Sequence, residues 1–143
     1  MHTKKLKIKA ITHANFKTFG WIIDYPKKGA SRSKNLFKII VRQPKSGWRI
    51  AYLVVRDKVI QRLEQHPGSF ESFEPVKGRG LLYIATKKDP TAIRCFFLDR
   101  PVILKKGIWH GIVTRGRECD VKIVENARVK CVYWLLGFKL KVI

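Results

Sequence analysis

Two short stretches of the chain carry residue types that can do acid–base or metal chemistry. Glu64 and His66 are two residues apart, so their side chains point to the same side if this stretch is a β-strand. Glu71 follows beyond Pro67–Gly68, a turn that can return the chain towards the same place. The second stretch ends in His110. Imidazoles and carboxylates that converge in this way suit a metal site or a general acid–base pair.

A structural interpretation of these residues is simpler. A histidine before a proline often ends a strand, and glutamates in a lysine-rich chain are often surface partners of lysine. However, three of the ten acidic residues fall between positions 64 and 74, which favours a site. Lys77 and Lys106 border the two stretches, and we predict that they bind a carboxylate of the substrate.

The spacing of these residues resembles the two cupin motifs. His66, Glu71 and Gly78 match the end of His-x-His-x(3–4)-Glu-x(6)-Gly, and Glu64 stands in place of the first histidine. The segment 107–110 resembles the Gly-x-x-His of the second motif. More specifically, the chain resembles the ureidoglycolate lyase family, a branch of the cupin-like jelly rolls. The segments that carry this resemblance are Glu64-Gln65-His66-Pro67, Glu71-Ser72-Phe73-Glu74-Pro75 with Gly78, and Gly107-Ile108-Trp109-His110.

This resemblance implies a carbon–nitrogen lyase of the amidine-lyase type. Such an enzyme splits ureidoglycolate into glyoxylate and urea, a step of allantoin and purine catabolism. A base takes the proton from the hydroxyl group on the hemiaminal carbon, and an acid protonates the departing urea nitrogen. The residues predicted to be catalytic are Glu64, His66, Glu71 and His110. The chain departs from the family pattern at Gln65 and Glu71, where the family has Arg and Gln.

Two other functions stay open. The first is a metal-binding cupin acting on another small anionic substrate, in which Glu64, His66, Glu71 and His110 hold Mn, Fe, Ni or Zn. The second is a β-barrel that binds nucleic acid or another polyanion. It is supported by 31 basic against 10 acidic residues, a formal net charge of +21, and by a basic loop from Lys27 to Lys38. No nucleic-acid-binding motif accompanies that charge.

The elements that must position the site are predicted from period-two alternation. Alternating apolar and lysine residues, as in the segment 5–10, indicate half-buried strands. Turn residues separate further short strands at about 36–42, 48–56, 59–65, 69–74, 80–86, 92–98, 101–104, 109–114, 120–125 and 129–135. A short helix is predicted over residues 12–19, with Thr12 as its N-cap and Gly20 as its stop. The predicted fold is mostly β, a cupin-like double-stranded β-helix or jelly-roll barrel, in one domain over residues 1–143.

The cysteines, the apolar runs and the first residues indicate where in the cell the protein is expected. The three cysteines show neither a Cys-x-x-Cys pair nor an even framework, so neither a zinc site nor a secreted disulfide scaffold is indicated. No apolar run is long enough to span a bilayer, so no membrane partner is expected. The first residues carry lysines without an apolar run behind them, which argues against a secretory signal. We therefore expect a cytoplasmic protein, and a homodimer.

Overall fold

Alternation of apolar and polar side chains places about half of the described residues in β-strands. The computed structural model describes residues 2–24 and 39–142. Its strands are β1 (Thr3–Leu6), β2 (Ile8–Lys9), β3 (Gly20–Ile22), β4 (Trp48–Val55), β5 (Arg62–Gln65), β6 (Glu71–Lys77), β7 (Gly80–Ala85), β8 (Arg94–Leu98), β9 (Val102–Leu104), β10 (Trp109–Thr114), β11 (Cys119–Asn126), β12 (Val132–Leu135) and β13 (Lys139–Val142). A single turn of helix, α1 (His13–Phe16), stands near the start. None of the helical structure in these residues is long and apolar enough to cross a membrane.

The strands form two facing, mostly antiparallel sheets. The first sheet has the order β12-β5-β10-β7-β8-β2 and the second β3-β9-β6-β11-β4, while β1 and β13 pair in parallel as a separate ribbon. The set β5-β10-β7-β8 therefore faces β4-β11-β6-β9. This is the strand order of a jelly roll built from two Greek keys. The predicted cupin-like jelly-roll barrel with a short N-terminal helix is confirmed.

The helix is shorter than the predicted 12–19. Thr12 caps it as expected: its hydroxyl accepts from the backbone N–H of Asn15, and the Asn15 side chain accepts in return from the backbone N–H of Thr12. The helix ends at Phe16, and both Phe16 and Phe19 pack into the core, with ring centroids 5.6 and 5.9 Å from that of Phe96.

The predicted strands from residue 48 onward all have an observed counterpart, with ends displaced by a few residues. The predicted strand at 36–42 is different, because its residues 39–42 are not in a strand. The rest of that strand and the basic loop from Lys27 to Lys38 lie outside the described residues.

Apolar side chains cover both faces of the first sheet. Phe73 and Phe96 pack between the two sheets, whereas Leu63, Tyr83 and Leu140 form a cluster on the outer face of the first sheet. Each large side chain buried in this way contributes about 1.5–3 kcal/mol to folding. Apolar side chains thus fill the space between the two sheets and cover the outer face of the first sheet.

The two sheets are not joined by backbone hydrogen bonds where β4, the last strand of the second sheet, lies near β5. In the part of the chain that the structure describes, β4 pairs only with β11, and β5 pairs with β10 and β12. A cavity of about 430 Å³ opens at this edge. Its walls include Leu53 and Val55 from β4 and Leu63 and Glu64 from β5. The interior is therefore reached from the side, between the two sheets.

Gly78, the last residue of the first motif, should be essential for stability. Its φ angle is +78°, and a Cβ atom there would lie 2.8 Å from Cys119 Cα. We expect Gly78→Ala to lower the free energy of unfolding by about 3 kcal/mol or more, since backbone strain and overlap add. Gly137 is the matched control, because it has a φ angle of +71° but open space around it, so Gly137→Ala should cost only about 1 kcal/mol. Equal losses in denaturant unfolding would contradict the proposed role of the overlap.

Candidate metal centre

Three strands bring the four predicted site residues to one end of the barrel interior. Glu64 lies on β5 and His66 directly follows that strand, while Glu71 begins β6 in the facing sheet. His110 lies on β10, directly opposite Glu64 in the ladder between β5 and β10. The turn at Pro67–Gly68 carries the chain from one sheet to the other, so that Glu71 points back at the histidines.

The ionisable ends of these side chains are in contact. His110 Nε2 lies 2.9 Å from Glu71 Oε1 and 3.6 Å from Glu64 Oε1, and His66 Nε2 lies 3.4 Å from Glu71 Oε2. The side chains of His66, Glu71 and His110 are at most 6% exposed, whereas that of Glu64 is 37% exposed. Glu64 is thus the member of the cluster that faces the opening.

Backbone carbonyls fix both imidazole rings. His110 Nδ1 donates to the carbonyl oxygen of Ile108 at 2.9 Å, and His66 Nδ1 donates to that of Lys130 at 3.2 Å. A carbonyl oxygen only accepts, so Nδ1 carries hydrogen in each ring. In the neutral ring Nε2 then presents its lone pair to the cluster, which is the tautomer that a metal ion requires.

The charges in the cluster shift one another's ionisation. Burial alone would raise the pKa of Glu71, but the charge of His110 and the contacts with both imidazoles outweigh it and lower that pKa to about 2. Burial would likewise lower the pKa of His110, yet the Glu71 charge and the Glu64 contact raise it. The contact with Glu71 raises the pKa of His66, and the contact with His110 lowers the pKa of Glu64.

Two atoms of the cluster are close together without being hydrogen-bonded. Glu71 Oε1 and His110 Nε2 are both buried and have no aligned hydrogen-bond partner, although they are only 2.9 Å apart. Two ligand atoms that each lie about 2.0–2.2 Å from the same metal ion are themselves about 3 Å apart. Ligand atoms of Glu64, His66 and His110 also lie within 4.8 Å of one another. These donors fit a divalent metal, with Glu64, His66 and His110 as one three-residue ligand group and Glu71 in contact with both histidines.

A fifth ionisable residue, Glu125, joins the cluster from β11. It is the cross-strand neighbour of Glu71, and its carboxylate lies within 4.8 Å of ligand atoms of His66 and Glu71. Burial and the nearby Glu71 charge raise the pKa of Glu125, while Arg49, at 3.3 Å, opposes that rise. The sequence reasoning missed this residue. The sequence pattern could have indicated it, because Glu125 is two residues beyond the buried Ile123 and so lies on the same face of β11.

The two lysines predicted to bind substrate lie outside the cavity that reaches the cluster. Lys77 Nζ is 3.7 Å from Asp120, and Lys77 lines a different cavity at the far end of β6. Lys106 Nζ contacts Gln43 Oε1 at 3.4 Å and lies over the ring of Phe70. The arginines that line this cavity are Arg56 and Arg62.

Strand order and cluster together define a cupin-like jelly roll with a two-imidazole, two-carboxylate centre. No protein-family model matches the chain, and no curated protein matches it. Among solved structures, Bacillus subtilis oxalate decarboxylase is similar, with 16% identity and a TM-score of 0.47 over 64% of this chain and 24% of that one. A dTDP sugar isomerase from Desulfovibrio desulfuricans G20 has 16% identity and a TM-score of 0.45, over 76% of this chain and 73% of that one. The fold assignment here rests on the strand order itself.

The stability of the metal-free protein should fall in acid because of Glu71. Its pKa is lowered from 4.5 to about 2, so its stabilising charge is complete above pH 4.5 and is lost as the pH falls towards 2. That displacement corresponds to on the order of 3 kcal/mol, or about 10 °C in Tm for a chain of this size. Thermal melts of wild type and Glu71→Gln between pH 2 and 7 test this. The acid-dependent loss should be smaller in the variant, and parallel curves would contradict the assignment.

Proposed function

We propose that this chain is a cupin-type, metal-dependent enzyme that acts on a small anionic substrate. The observation that carries the proposal is the convergence of imidazole and carboxylate groups inside the barrel, with His110 Nε2 2.9 Å from Glu71 Oε1 and 3.6 Å from Glu64 Oε1. Ligand atoms of Glu64, His66 and His110 lie within 4.8 Å of one another, and imidazole and carboxylate donors suit Mn, Fe, Ni or Zn.

The ion, Glu64 and the apolar cavity wall would have different roles in such a site. When bound, a divalent ion supplies Lewis-acid polarisation of a substrate oxygen. Glu64, the most exposed of the four donors, faces the cavity and would be the ligand that meets a molecule entering there. Phe73, Ile112 and Ile123 line the cavity with apolar surface and exclude water behind the substrate.

Metal analysis of the purified protein tests the proposal. We expect uptake of about one ion per chain from a solution offering Mn, Fe, Ni and Zn in turn. Uptake should weaken as the pH is lowered, because protons compete for His66 and His110. Protein that takes up none of these ions at neutral pH would refute the metal-dependent function.

A ureidoglycolate lyase-type reaction is the second candidate, and the imidazole–carboxylate contacts favour it because acid–base chemistry needs no metal. Glu64 would take the hydroxyl proton from the hemiaminal carbon. The carbon–nitrogen bond then breaks as the carbonyl group of glyoxylate forms. His110, whose raised pKa keeps it protonated, would give its proton to the departing urea nitrogen.

Urea release separates the two candidates. Chelator-treated protein is incubated with ureidoglycolate, and urea and glyoxylate are measured. Release in equal amounts would support the lyase and argue against a metal-dependent step. Release of neither product, with or without added metal, would contradict the lyase.

Three further predictions accompany the proposal. Binding of nucleic acid or another polyanion, suggested by the net charge of +21, should fall steeply with salt if it occurs. Binding that is absent even at low salt would remove that function. The homodimer and the cytoplasmic location likewise remain predictions, tested by solution mass and by fractionation.

A further inference from the structure

Arg62 presents a positive charge at the mouth of the cavity. It lines the cavity together with Glu64, Glu71 and His110. Arg62 and Glu64 are two residues apart on β5, so both side chains extend from the same face of the strand. None of the ion pairs within residues 2–24 and 39–142 involves Arg62. Its guanidinium group therefore remains available to a ligand.

A tyrosine holds this guanidinium in place. Tyr133 on β12 is directly opposite Glu64 in the ladder between β5 and β12, so its ring lies on the same face as Arg62. The Arg62 Cζ atom is 4.5 Å from the centre of that ring. Stacking of a planar guanidinium on a ring restricts its rotation and leaves its N–H edge free to donate two parallel hydrogen bonds. A carboxylate accepts such a pair well.

The other arginine in the cavity wall is already neutralised. Arg56 Nε lies 3.1 Å from Glu118 Oε2, which forms an ion pair at the surface. Arg56 and Arg62 thus line the same cavity with the same charge, but only Arg62 lacks an acidic partner in the described chain.

We infer that Arg62 is the receptor for a carboxylate group of the substrate. Arg62 and the cluster line the same cavity. A short carboxylic acid with a second oxygen function would place its carboxylate on Arg62 and that oxygen at the cluster. The second half of this assignment rests on the proposed function. The first half, selection of an anion by Arg62, rests only on the position of Arg62 in the cavity wall and on its stacking against Tyr133.

Titration calorimetry with malonate and succinate tests the inference, with malonamide and succinamide as neutral analogues. Wild-type protein should bind the acids more tightly than the amides. Arg62→Gln should weaken binding of the acids by on the order of 10- to 100-fold and remove the preference over the amides. Tyr133→Phe should leave binding unchanged because it keeps the stack, whereas Tyr133→Ala should weaken it about threefold.

Arg56→Gln is the matched control, because it removes an equal charge from the same cavity, and it should change binding less than about threefold. The inference is overturned if Arg62→Gln binds like wild type, if Arg56→Gln loses as much, or if wild type binds neither acid. Metal content is measured in parallel for every variant. A wild-type protein that holds no metal would refute the proposed function. The contrast between Arg62→Gln and Arg56→Gln alone decides the role of Arg62.

Discussion

A Glu71→Gln substitution should weaken the binding of a divalent metal by on the order of 10²-fold or more. Glu71 contacts both imidazoles, and the change replaces an anionic ligand by a neutral amide of the same size. Metal content and competition with a coloured chelator measure the loss. The same change restores the residue that the ureidoglycolate lyase family has at this position. A metal-free lyase should therefore keep or improve its urea release.

Glu74→Gln provides the matched control. Glu74 lies on the same strand but at the opposite strand phase, 3.6 Å from Lys122 on the second sheet. It should leave metal binding unchanged. If Glu71→Gln holds metal as tightly as Glu74→Gln does, Glu71 is not a ligand.

A His110→Asn substitution should lower turnover by on the order of 10²-fold or more, with ureidoglycolate as the first substrate to be assayed. Asparagine can keep the hydrogen bond to the carbonyl of Ile108, because its amide nitrogen occupies nearly the position of Nδ1. It removes Nε2, the atom that meets Glu71. The melting temperature should therefore change less for His110→Asn than for His110→Ala, which also loses the hydrogen bond to Ile108.

His13→Asn serves as its control, because His13 is an exposed histidine paired with Asp24 at 2.6 Å. It should leave both turnover and metal content unaffected. A His110→Asn protein with wild-type metal content and wild-type activity would remove His110 from the site.

Much of the fold was predictable because strand alternation is a local property. A strand such as β11, whose Val121 and Ile123 are buried and whose Lys122 is not, is marked by period-two alternation in the sequence. The exception is the segment at 36–42, where residues 39–42 carry strand-forming residues but lie outside both sheets. β-propensity describes a fit to a half-buried sheet surface, and no neighbouring strand is available to them in the described chain.

The proximity of the four site residues was predictable from motif spacing, because the spacing fixes which strands meet. Glu125 was not identified, since it joins the cluster as the cross-strand neighbour of Glu71, far from it in sequence. Lys77 was wrongly predicted to line the site because it is close to the motif in sequence. It is near Glu71 in sequence, yet six residues of extended strand separate them by about 20 Å.

The open edge between β4 and β5 has a kinetic consequence. No ladder of backbone hydrogen bonds joins these two strands in the described chain. A molecule can thus reach His110 by moving side chains such as Leu53 and Arg62, without breaking secondary structure. Side-chain rotations take nanoseconds or less, whereas the opening of paired strands takes far longer. Ligand exchange at this centre should therefore be set by encounter and by loss of hydration, and a chelator should remove a bound ion without partial unfolding.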